Sequence, residues 1–175
     1  VAIDYDAGTA KKFVELLDFE LTNAQKKSAH TILEDINSEK PMNRMLEGDV
    51  GSGKTLVALM AATMAHNSGY QSVIMVPTEI LARQHYAGAQ KLLSKLGIKV
   101  GLLISAMKKS EKDEVLEQIK SGELDCIIGT HALITKSVEY KKLGLVVVDE
   151  QHRFGVNQRS TLKGKAKYLS LIHIS

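Results

Sequence analysis

Eight residues, Gly48-Asp49-Val50-Gly51-Ser52-Gly53-Lys54-Thr55, have the spacing G-x-x-x-x-G-K-[ST], a pattern suited to holding phosphate. Glycines at 48, 51 and 53 allow successive backbone N–H groups to turn inward and form an anion nest. A helix starting at Lys54 would add the positive end of its dipole. The Lys54 ammonium can then reach the β- and γ-phosphates of a nucleoside triphosphate, and the Thr55 hydroxyl can ligate Mg²⁺. Further along, the apolar run Leu145-Val-Val-Val148 ends in Asp149-Glu150. A buried strand that ends in a carboxylate holds the acid rigidly. Beside a phosphate loop, Asp149 could bind Mg²⁺ directly or through water, and Glu150 could orient an attacking water. An acid pair there favours hydrolysis over transfer to a small acceptor.

Both groups need elements to position them. Thr22–Asn37 has Ala24, Ala29, Ile32, Leu33 and Ile36 at helical spacing and predicts a helix, with Pro41 as a break. A short strand over Met42–Leu46 leads into the glycine turn Gly48–Gly53, and a helix follows over Lys54–Asn67, closed by Gly69. Strands are expected at Ser72–Val76, Lys99–Leu103, Asp125–Gly129 and Leu145–Val148. Between them lie helices from the Thr78 cap to about Leu96, stopped by Gly97, and over Lys109–Lys120, stopped by Gly122. Strands alternating with helices of this length predict an α/β fold: a mainly parallel sheet with helices on both faces. In such sheets, sites lie at the carboxyl ends of the strands, and both motifs fall there.

Composition narrows the class. The 175 residues are 44% hydrophobic and 25% charged, which excludes a disordered tail, a collagen-like chain and a disulfide scaffold. Cys126 is the one cysteine, so no internal disulfide is possible. No apolar run approaches a membrane span, and Asp4 and Asp6 stand where a secretory leader would be basic. The expectation is a cytoplasmic chain with no membrane contact. His85 and His131 have no metal-ligand spacing with each other or with Cys126, so no structural metal is expected. Net charge is only +3, but residues 136–167 carry eight basic residues against three acidic ones. That bias suits a phosphate backbone, and a solvated lysine-rich surface explains it equally well.

Several strings together resemble the superfamily 2 helicases, and the RecG-type family in particular. Asp149-Glu-Gln-His152 resembles motif II, and its extension through Arg153-Phe-Gly-Val-Asn-Gln-Arg159 resembles the RecG-type form. Phe19-Glu-Leu-Thr-Asn-Ala-Gln25 is similar to the adenine-reading Q motif. Val76-Pro-Thr-Glu-Ile-Leu-Ala-Arg-Gln-His-Tyr86 is similar to motif Ia, and Ile128-Gly-Thr-His-Ala-Leu133 to the later DNA-contacting motif. The resemblance covers about Phe19 to Arg159. It implies a RecA-like P-loop NTPase lobe that binds ATP with Mg²⁺ and acts on branched or forked DNA in repair and recombination, in the bacterial cytosol. Gln25 would read the adenine edge, with Phe19 over its face and Leu21 in the same nucleotide set. Lys54, Glu150 and His152 would be catalytic, with His152 relaying phosphate state or, alternatively, serving as a core histidine. Pro77, Thr78, Gly129, Thr130 and His131 would meet strand phosphates. Helix capping is an equally good local account of Thr78 and Thr130. Arg153 and Arg159 could pair with phosphate or with acids.

The same resemblance implies parts that are not among these residues. They are a wedge domain ahead of residues 1–18, which look like its linker helix, and a second RecA-like lobe after a first lobe over 19–175. The family continues past Arg159 to a motif III strand lying between the P-loop strand and the Asp-Glu strand, at the sheet centre. Here the chain reads Lys163-Gly-Lys-Ala-Lys-Tyr-Leu-Ser-Leu-Ile-His-Ile-Ser175. Either Tyr168–Ile174 fills that slot or the tail is foreign and the slot is imperfectly packed. A second lobe also supplies a trans-acting arginine, which in related NTPases contributes ~10³–10⁵ in rate. The lobe alone is therefore expected to bind ATP, turn it over very slowly and not unwind DNA. The alternatives are a related translocase (a transcription-repair coupling factor or a primosomal helicase), a non-catalytic ATP- or DNA-binding module, and a P-loop kinase. The first pair more often has Asp-Glu-Glu-His, so Gln151 favours the RecG type.

Overall fold

The computed structural model describes residues 3, 6–17, 23, 26–27, 43–46, 54–135, 137–149 and 170–174, with backbone only at 43–46, 54–55, 149 and 170–174. Its elements are α1 (Ala7–Glu15), β1 (Asn43–Leu46), α2 (Lys54–Asn67), β2 (Gln71–Met75), α3 (Glu79–Leu93), β3 (Val100–Leu103), α4 (Lys109–Ser121), β4 (Cys126–Gly129), β5 (Leu143–Asp149) and β6 (Ser170–Ile174). A 3-10 turn over Ser94–Leu96 prolongs α3, and a second over His131–Ile134 follows β4. The helix expected over Thr22–Asn37 lies outside the described residues except for Asn23, Lys26 and Lys27, which are helical and exposed.

The strands form one six-stranded sheet in the order β1-β6-β5-β2-β4-β3, and every neighbouring pair is parallel. Strands covered on both faces read as unbroken apolar runs, because neither side chain direction meets water. Thus β2 and β4 are buried at every residue. Alternation along the strands sends side chains into two cores. Ile74, Cys126, Ile128, Leu145 and Val147 pack with α1, α2 and α3. Val73, Met75, Ile127, Val146 and Val148 pack with Ile119 of α4 and Leu133 of the second 3-10 turn. Helices therefore cover both faces.

Their compositions follow from where they sit. Helix α2 is apolar all round and is buried without a break from Val57 to Ala65, because it lies between the sheet and α1 and α3. Helix α4 carries Lys109, Glu111, Asp113, Glu114 and Glu117 exposed to solvent and buries only Ile119. Gly97 and Gly122 end their helices at φ 76° and 83°, a conformation glycine adopts without strain. Helix α1 is capped by Asp6, whose carboxylate accepts the Gly8 N–H at 3.0 Å. Its Phe13 is fully buried in the larger core, where burial contributes about 2 kcal/mol.

The slot between β1 and β5 is filled. β6 pairs with β1 from Asn43↔Leu171 to Leu46↔Ile174, and with β5 from Leu145↔Ser170 to Asp149↔Ile174. It is the second strand from one edge and not the sheet centre, because β1 is the outermost strand among the described residues. β5 is longer than its apolar core suggests, running Leu143–Asp149. No helix among the described residues is long and apolar enough to cross a membrane.

Candidate functional site

In a parallel sheet every strand ends on the same edge, and each connecting helix starts from that edge. Here the pairing sets Leu46, Ile174 and Asp149 in one row at that edge. The backbones of Leu46 and Asp149 are thus two strand spacings apart, about 10 Å. The connection 47–53 leaves β1 at this row, and α2 starts directly after it with Lys54 and Thr55. The first N–H groups of a 14-residue helix and an acid at a strand end therefore share one edge. A hydroxyl and a carboxylate are hard oxygen donors, the set that suits Mg²⁺ beside phosphate. Phe19, Leu21, Gln25, Gly48, Asp49, Val50, Gly51, Ser52, Gly53, Glu150 and His152 lie outside the described residues.

The other five candidates come from two segments far apart in sequence that β2 and β4 bring side by side. Met75 pairs with Gly129, and the Val76 N–H donates to the Gly129 carbonyl at 2.9 Å. Pro77-Thr78 and Thr130-His131 therefore leave the edge as neighbours. Thr78 is exposed, and its hydroxyl oxygen accepts the Leu81 N–H at 3.2 Å as the N-cap of α3. A hydroxyl has one donor and two acceptor positions. Capping occupies one acceptor and, among the described residues, leaves the O–H able to donate, so the two accounts of Thr78 are compatible.

Thr130 behaves differently. It is 6% exposed and its side chain makes no cap hydrogen bond; its carbonyl accepts the Leu133 N–H at 3.1 Å. Gly129 has a local structural reason to be glycine, because a Cβ there would overlap the Leu103 carbonyl oxygen of β3. His131 is exposed. Beneath this loop the Tyr140 hydroxyl donates to the Leu133 carbonyl at 2.8 Å. Burial raises the Tyr140 phenol well above its usual range, so it remains a donor at all ordinary pH values.

One residue of this edge was not singled out from sequence. The Glu79 carboxylate accepts the Ala106 N–H at 3.1 Å, tying the start of α3 to the loop after β3. Its position next to Thr78 gives no hint of a partner 27 residues away. Among the described residues, no group of three or more His, Cys, Asp or Glu could hold a metal.

Comparison with known proteins gives consistent findings. Residues 22–174 match the family described as DEAD/DEAH box helicase. The chain is 50% identical over 166 residues to the ATP-dependent DNA helicase RecG of Thermotoga maritima, covering 95% of this chain and 21% of that protein. It is 56% identical over 149 residues to RecG of Streptococcus pneumoniae, covering 85% and 22%. A solved structure of RecG bound to a three-way DNA junction superposes with a TM-score of 0.84 at 44% identity, over 99% of this chain and 24% of that one. Yeast Dbp5, at 19% identity and a TM-score of 0.70 over 97% of this chain and 46% of that one, shares the fold. The chain thus spans about a fifth to a quarter of the length of the curated relatives it matches.

Proposed function

The chain belongs to the DEAD/DEAH box helicase family and has the fold of its RecA-like lobes, and from that premise we propose that it is the first, ATP-binding motor lobe of a RecG-type DNA helicase. The observation that carries the reading is the row Leu46–Ile174–Asp149 with the start of α2 on the same edge. In this reading the segment Gly48–Gly53 and the N-terminus of α2 bind the phosphates of ATP, and Lys54 neutralises charge at the β- and γ-positions. Thr55 and Asp149 hold Mg²⁺, which stabilises the charge developing on the phosphoryl oxygens. Glu150 orients the attacking water, His152 senses the γ-phosphate, and Phe19, Leu21 and Gln25 receive adenine. Pro77, Thr78, Gly129, Thr130 and His131 meet the DNA backbone through N–H and O–H donors, which positions a strand without reading its sequence.

In the whole protein, a wedge domain and a second lobe complete the machine, acting on branched DNA in the bacterial cytosol. Support comes from the RecG relatives and from the junction that one of them binds in its solved structure. Residues 1–18 would lead in from the wedge. With Glu150 as the water-orienting base, Glu150→Gln in the whole protein lowers turnover ~10²–10⁴-fold while ATP still binds. The direct test is labelled ATP with Mg²⁺ on the 175-residue chain. Parent protein should bind and Lys54→Ala should not; a folded parent that fails to take up ATP would refute the assignment.

A further inference from the structure

On the α4 face, at the carboxyl end of β3 and β4, there is a cleft of about 320 Å³. Its less exposed lining is aliphatic, from Leu103, Leu116, Ala132 and Val138, and the exposed lining includes Ser105, Thr135 and Ser137, with Lys112 half-buried beside them. No acid lines it; Glu111, Asp113, Glu114 and Glu117 of α4 all lie outside the lining. Lys112 has no ion-pair partner among the described residues. The cleft also includes His131, so it opens directly onto the loop that the reading above assigns to strand phosphates. Its Ser105 wall is held in place, because the next residue, Ala106, is bonded to Glu79 at the head of α3.

We propose that this cleft seats one nucleotide of a DNA strand crossing the β2-β4-β3 edge, with its base on the aliphatic lining and its phosphate at Lys112. The inference rests on the strand-binding part of the proposed function and adds a subsite to it. The volume is at the small end of ligand sites, on the scale of a single nucleotide. The aliphatic lining offers no hydrogen bond to a base edge, so the seat is indifferent to sequence, as a translocating motor requires. A lone lysine with hydroxyls in a lining free of acid matches a phosphodiester in charge.

The probe is a 5′-phosphorylated oligodeoxythymidylate carrying 5-iododeoxyuridine, mixed with the full chain at low salt. Photocrosslinks are expected in the peptides containing Leu103–Ser105, Lys112–Leu116 and Ala132–Thr135. Lys112→Glu should weaken binding about tenfold and reduce the slope of log K against log salt by about one. Leu116→Trp, which fills the aliphatic part, should weaken it similarly, and neither should alter ATP affinity. Lys112→Glu changes a partly exposed helix position and keeps the test sound if the tryptophan variant does not fold. If the oligonucleotide binds and Thr78→Val weakens it while both cleft variants bind like the parent, the cleft proposal fails, the strand-binding reading stands, and a protein segment becomes the candidate occupant. If the folded parent binds no oligonucleotide, both fail together.

Discussion

At the amino end of the sheet, Gln71 uses its whole amide group. Its NH₂ donates to the Ile119 and Leu124 carbonyls at 3.0 and 2.9 Å, and its oxygen accepts the Lys142 N–H at 3.0 Å. Nearby, Asp125 accepts the Lys99 N–H at 2.9 Å and faces the His66 ring at 3.3 Å, while the Lys142 ammonium lies over the Tyr70 ring. These contacts tie α2, α4 and the starts of β2, β3, β4 and β5 together, with donors and acceptors matched. The carboxyl end is finished otherwise. Among the described residues, the Thr78 hydroxyl is used only as an acceptor, Lys112 faces a cleft without a counter-ion, and the Thr130 side chain makes no cap hydrogen bond. Polar groups satisfied within the protein add stability, whereas groups left with spare capacity are available to a ligand. One end of the sheet holds the lobe together, and the other carries, among the described residues, polar groups with spare capacity.

Substitutions should divide along the same line. The largest expected effect is at the amino end. Gln71→Leu removes three hydrogen bonds to backbone groups, two of them buried, so it should cost about 3 kcal/mol of stability in urea unfolding and leave ATP and oligonucleotide affinity unchanged. If it lowered ligand affinity in the folded protein, the two ends would not be independent. Next is alkaline pH. Burial raises the Cys126 thiol from 9.0 to about 12. The unfolded chain then loses that proton first, and the folded state holds more protons between these values. Stability is therefore unaffected by the thiol below pH 9 and falls as pH rises toward 12, by about 1.4 kcal/mol between pH 8 and 10. Tyr140 adds to the loss with the same sign. Cys126→Ala should remove the thiol part of the fall, read from unfolding midpoints at the two pH values. The smallest effect sharpens the contrast: Thr78→Ala loses about 1 kcal/mol from the cap and also weakens oligonucleotide binding, while Thr78→Ser keeps both.

Much of this was legible from local chemistry. Helix α2 begins and ends where Lys54 and Gly69 suggest, and Thr78, Gly97 and Gly122 act as the cap and stops expected of them. The β-branched run before Asp149 is a buried strand. These features depend on neighbours in sequence, which is why periodicity and capping rules detect them. The features that were not legible depend on distant partners. Gln71 reads as an ordinary polar residue until β2 places it against the carbonyls of Ile119 and Leu124. Glu79 shows no sign of Ala106, and the cleft combines residues from β3, α4 and the turn after β4. Tyr168–Ile174 left two readings open because moderate alternation does not say which strands will flank it; the pairing with Asn43–Leu46 and Leu145–Asp149 does. Of the candidate site, Asp149, Lys54 and Thr55 fall on the expected edge, as do Pro77, Thr78, Gly129, Thr130 and His131.

The position of β6 also bears on how the molecule is made. Among the described residues Asn43 finds its ladder partner only at Leu171, so a strand synthesised early is paired by one synthesised much later. Contacts this remote in sequence are slow to form. During translation the β5-β2-β4-β3 half can assemble from segments already in hand, while β1 waits beside an open ribbon of backbone groups. The row that sets Leu46 two strands from Asp149 is therefore completed only when one late strand slides between two early ones.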